Sequence, residues 1–202
     1  FTADMCSGSA ICIDRAVTIE AQVSGSVVLD GNGGRRVFEI KPGGTAGLVG
    51  LNITGGSAYY DGGGGVFVGS NGVANFEGCN IHDNTAGSRG GGLYISGTAT
   101  LTNTNVYANQ ATDGDGGGLH ITGTATLINT NVYSNTAQFY YAYAGGGVYV
   151  STNGVANFEG CNIHDNSANY RVSSGYGGGL YIRGTATLTN TNVYSNDATY
   201  GF

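Results

Sequence analysis

Two carboxylates share one short stretch, Thr112-Asp113-Gly114-Asp115, and Asp61 occupies a comparable stretch earlier in the chain. Paired carboxylates can hold Ca²⁺ through oxygen ligands, or act as acid and base on a glycosidic bond. Either role needs a partner group. By register the nearest guanidinium groups are Arg89 and Arg171, and the spacing fixes neither beside the acids. Solvated loop acids are the plainer reading, so no catalytic residue is assigned. His82, His120 and His164 are spread over several repeats and cannot converge on one zinc. No metal and no cofactor is expected.

The second chemically distinctive set is aromatic. Tyr59, Tyr60, Phe139, Tyr140, Tyr141, Tyr143, Tyr170 and Tyr176 all fall in segments of variable length. Aromatic side chains dominate interface energetics, so these eight are the candidate binding residues. Two further aromatic columns run through the repeats. One is Phe67, Tyr94, His120, Tyr149 and Tyr181; the other is His82, Tyr107, Tyr133, His164 and Tyr194, two residues beyond Asn80, Asn105, Asn131, Asn162 and Asn192. Both columns are expected to face solvent, either as a platform for sugar rings or a protein, or as ladders that stabilise the fold.

The positions of these groups follow from a repeat. Glycine triplets begin at Gly63, Gly90, Gly116, Gly145 and Gly177, at spacings of 27, 26, 29 and 32 residues. Units of that size in series mark a solenoid. One unit, from Gly90 to Ala111, holds three short runs with alternating polarity: Leu93-Tyr94-Ile95, Ala99-Thr100-Leu101-Thr102 and Thr104-Asn105-Val106-Tyr107. A period of two puts one face inward and one outward. The position of Asn103 holds Asn129, Asn190, Gly78 or Gly160 in other copies; that of Asn109 holds Asn84, Asn135, Asn166, Asn196 or Gly56. Asn and Gly interchange where the backbone needs positive φ, so a tight corner is expected at both places. Three strands per coil, stacked on the next coil, give an all-β, right-handed parallel β-helix of about seven coils. Residues 1–202 are read as a single domain of this kind, a fragment or processed block of a longer solenoid, because the ends show no amphipathic cap. The expected core contains Val66, Val68, Ala99, Leu101 and Val106.

Composition narrows the partners. The chain has 202 residues, 39 glycines, one proline, 10% charged residues and a net charge of −6. There is no basic stripe, which argues against nucleic acid, and no apolar run long enough to span a membrane. Cys6 and Cys12 could pair. Cys79 and Cys161 occupy one repeat position three coils apart, roughly 14 Å by the strand spacing, and are expected as buried free thiols. Threonine ranks such as Thr98-Ala99-Thr100-Leu101-Thr102 are similar to ice-binding surfaces of some β-helices, but Val73, Asn75, Glu77 and Val155, Asn157, Glu159 break them. Asn52-Ile53-Thr54 is a glycosylation sequon for a chain secreted by a eukaryote.

Gly90-Gly91-Gly92-Leu93 and Ile81-His82-Asp83-Asn84 resemble the GGA-aliphatic and Phe-x-x-Asn motifs of polymorphic outer-membrane protein repeats, which are adhesin-like β-helices. Here Gly stands for Ala, and Ile or Val for Phe. That resemblance implies a secreted or cell-surface, non-enzymatic structural or binding module. Its partner would be another protein subunit or a cell-surface polysaccharide, with end-to-end self-association at the open ends. The alternatives are a carbohydrate-active β-helix enzyme (lyase, epimerase or hydrolase), or a fragment of one, and an ice-binding β-helix.

Overall fold

Short alternating runs between glycine-rich corners fold into strands that pair only with the equivalent run one repeat away. The computed structural model describes residues 8–139, 144–170 and 177–200. Four parallel sheets run the length of the molecule. The first extends from Ser9–Ile13 to Leu180–Ile182, the second from Ala16–Glu20 to Thr185–Thr189, and the third from Val27–Asp30 to Asn192–Tyr194, each with seven strands. The fourth has six strands, from Ser57–Ala58 to Asp197–Tyr200. This fourth sheet goes beyond the three strands per coil expected from the repeat: segments such as Thr85–Ala86 and Gln110–Ala111 are too short to show a period. No helix among the described residues is long and apolar enough to cross a membrane.

Register is fixed by burial, because a one-residue slip would turn every core side chain outward. Leu93 pairs with Val66 and Leu119, Leu101 with Phe76 and Leu127, and Val106 with Ile81 and Val132. All of these, with Val68 and Ala99, are buried in one continuous core. Each Leu or Ile removed from water contributes about 1.5–3 kcal/mol.

The two corners are built differently. At the first, Asn103, Asn129 and Asn190 have φ of 50°, 47° and 48°, and Gly78 and Gly160 have 59° and 62°, as the substitution pattern predicts. At the second, the left-handed residue is the one before the asparagine: Asp83, Ala108, Ser134, Asp165 and Ser195, with φ near 52°, and Gly55 in the first copy. Asn84, Asn109, Asn135 and Asn166 instead point inward as a buried ladder. The Asn109 Nδ2 donates to Ile81 O (2.9 Å) and to Asn135 Oδ1 (3.0 Å), while the Asn109 backbone N–H also donates to Asn135 Oδ1. The asparagine is there to satisfy buried backbone groups, not to tolerate positive φ. Gly56 closes the same ladder, its N–H donating to Asn84 Oδ1 at 2.8 Å.

The glycine triplet lies where backbones of successive coils touch. A Cβ on Gly91 would lie 2.4 Å from Gly117 O. No larger residue fits there without moving a coil.

Cys79 and Cys161 are free and fully buried. The Cys79 Sγ donates to Leu48 O at 3.2 Å, and Thr130 Oγ1 makes the matching bond to Leu101 O at 3.1 Å. Cys and Thr interchange here because both carry one small donor. Burial pushes both thiols above their ordinary pKa. Cys12 is disulfide-bonded; Cys6 lies outside the described residues.

Candidate functional site: the insert edge and the column beneath it

The described variable segments, at 59–62, 87–89 and 112–115, follow the fourth-sheet strands and precede the glycine triplets, forming one edge beside the first sheet. Tyr59 and Tyr60 stand out from it, 76% and 93% exposed, with rings edge to face at 4.6 Å. Tyr140, Tyr141, Tyr143 and Tyr176 lie outside the described residues, as does Arg171. Phe139 and Tyr170 belong to paired strands of the fourth sheet, and only their backbone is described.

The first aromatic column lies under this edge. Its side chains leave the outer face of the first sheet, as the alternation requires; Phe67, Tyr94 and Tyr181 are half-buried there, and His120 and Tyr149 are buried. His120 is 3% exposed and Tyr149 4%. The reason is close packing from the insert side. A Cβ on Gly62 would lie 2.7 Å from Tyr94 Cδ1, and the Arg36 guanidinium sits 5.1 Å from the Phe67 ring centroid. Tyr94 meets His120 edge to face at 5.2 Å, and His120 stacks on Tyr149 at 4.7 Å.

Two polar clusters occupy this covered edge. The first centres on Arg36. Its Nε donates to Gly63 O (2.9 Å), and its Nη2 to Gly62 O (2.8 Å) and Asp61 Oδ2 (3.1 Å). Nη1 donates to Ser9 Oγ (3.2 Å) and lies 3.5 Å from Glu39 Oε2. Glu39 also accepts from Ser9 and Lys41. Asp61 therefore does not join the other acids; it closes a clamp.

The second cluster centres on Asp115 and His120. Asp115 Oδ1 and His120 Nδ1 are both buried without a hydrogen-bond partner. Burial pushes the Asp115 carboxyl up to about 7, with Arg89 and then Arg183 pulling it back. Burial, reinforced by Arg89, pushes His120 down to about 3, against a hydrogen bond with the Asp115 main chain. A half-buried acid and a buried imidazole are thus both neutral in weak acid. Asp113, the expected second carboxylate, stays exposed on the loop. Arg89, one of the two arginines nearest by register, acts on both groups. Arg183 was missed, although its parity with Tyr181 puts both on the outer face; it hydrogen-bonds Tyr149. Among the described residues no three His, Cys, Asp or Glu side chains are placed to share a metal ion.

The other column, on the third sheet, is regular. His82, Tyr107, Tyr133, His164 and Tyr194 stack at 4.8, 4.9, 5.2 and 4.9 Å, within 9° of parallel. Each interior ring has a neighbour against both faces, so only edges reach solvent. His82 and His164 Nδ1 each lie 2.7 Å from the carboxylate of the next residue, Asp83 or Asp165. The neighbouring asparagines form an amide ladder from Asn52 to Asn192 with 2.9–3.0 Å links. Asn52, in the sequon, donates to Gly25 O and accepts from Asn80, so its amide is already part of the ladder. On the second sheet, Thr98 and Thr100 pair with Thr124 and Thr126, but Val73 and Asn75 flank them on one side and Val155 and Asn157 on the other. The rank is two coils wide.

Residues 36–202 match the family model described as a right handed beta helix region. No curated protein and no solved structure matches the chain.

Proposed function

The chain belongs to the right-handed β-helix family, and on that premise we propose that it is a non-enzymatic, secreted or cell-surface binding module of adhesin-like type. Its partner is another protein subunit or a surface polysaccharide, met at the insert edge. The observation that carries this reading is the contrast in side-chain use. On the third sheet, ring faces are stacked against one another and amides bond to amides, which serves stability rather than recognition. On the insert edge, Tyr59 and Tyr60 are held out with their rings largely free, the disposition of interface anchors. A disulfide at Cys12 fits an oxidising compartment.

A second reading, a carbohydrate-active enzyme, is favoured by one observation: the Asp115 carboxyl, held near 7 beside Arg89, has the proton affinity of a general acid. One experiment separates the two. The immobilised protein is presented with a panel of surface polysaccharides, and both binding and new reducing or unsaturated ends are measured. Binding without turnover, weakened at least tenfold by Tyr59→Ser with Tyr60→Ser, is expected. Turnover abolished by Asp115→Asn would establish the enzyme reading instead.

A further inference from the structure

Asp115 precedes the glycine triplet at Gly116 and His120 follows it, so one tight corner brings both under the covered edge. Each has one buried polar atom without a partner. Among the described residues, the charged and titratable groups facing them come from the neighbouring coils. Arg89 lies on the preceding insert, Tyr94 in the preceding coil, Tyr149 in the following coil, and Arg183 two coils on.

We propose that Asp115 and His120 are a compensating pair: each cancels the pH dependence that the other would impose on closure of residues 112–120, so the edge stays closed across the weakly acid range. The signs are opposite. Asp115 holds its proton up to about 7 when closed, against an ordinary carboxyl value of 3.8. Closure by this group is therefore strongest below 3.8 and weakens as pH rises towards 7. His120 stays neutral down to about 3 when closed, against 6.5. Closure by this group is strongest above 6.5 and weakens as pH falls towards 3. The two windows nearly coincide, so one proton lost is offset by one gained. Arg89 lowers both groups together and so sets the balance.

Hydrogen exchange of the backbone amides of residues 112–120, corrected for intrinsic rates and followed from pH 4.5 to 6.5, tests it on the intact chain. Wild type should change protection by less than about threefold. Asp115→Asn should lose protection as pH falls, and His120→Phe as pH rises, each by up to about tenfold per pH unit, the limit for one proton. Arg89→Gln should tilt the wild-type profile in the direction of His120→Phe. If His120→Phe does not fold, His120→Gln removes the same titration. Flat profiles in both variants, slopes of the same sign, or a wild type as steep as its variants would overturn the pairing.

Discussion

Arg36 and the Asp115–His120 pair lie on the same edge, in the same kind of repeat, and solve burial in opposite ways. Arg36 is a permanent cation that cannot shed its charge. It is tolerated because its donors reach two backbone carbonyls, Asp61, Ser9 and Glu39. Asp115 and His120 each keep one buried polar atom without a partner, and both are instead neutral in weak acid. A buried charge is either fully solvated by the protein or removed by a proton shift. The first solution makes a rigid clamp. The second leaves groups whose state depends on pH, which is where a β-helix of self-satisfied ladders departs from pure scaffold.

The comparison can be broken most severely at the clamp. Arg36→Met leaves Glu39 buried with Ser9 and Lys41 but without its guanidinium partner, and should cost about 3 kcal/mol or more, read as a lowered denaturant midpoint. An unchanged midpoint would mean that the clamp is no more rigid than the orphan cluster. Next comes Asn135→Ala in the inner ladder, which removes acceptors for Asn109 and donors to Val106 O and Asn166. About 2 kcal/mol is expected from the groups left unsatisfied. His120→Phe should move the midpoint by only about 1 kcal/mol at pH 7 despite near-complete burial, because it deletes one unpartnered nitrogen along with one hydrogen bond to the Asp115 main chain. Smallest of all, replacing Tyr140, Tyr141 and Tyr143 together by serine should leave the melting transition unchanged while weakening partner binding. A large stability loss would assign those residues to covering the edge.

Much of the fold was legible in the chain itself. Glycine triplets at near-constant spacing and period-two runs set a parallel solenoid of about seven coils, and Leu101 and Val106 were placed inward by parity. The first corner was readable because Asn103 and Gly78 interchange for a backbone reason. The second misled, because Asn109 and Gly56 interchange for a hydrogen-bond reason and the turn lies one residue earlier, at Ala108. Substitution patterns do not separate those causes.

The site was less legible. Parity places His120 and Tyr149 on an outer face, but only packing from the insert side decides that outer does not mean exposed. The same packing sends Asp61 to Arg36 rather than towards Asp115. Strand register is a local, periodic property, written in every copy of the repeat. Desolvation and charge pairing depend on which variable segments lie over which column, and those segments do not repeat. The repeat therefore carried the coil, its outer columns and its core, but not the buried asparagine ladder. The tertiary structure alone decided which polar groups are covered, and hence which protons Asp115 and His120 hold.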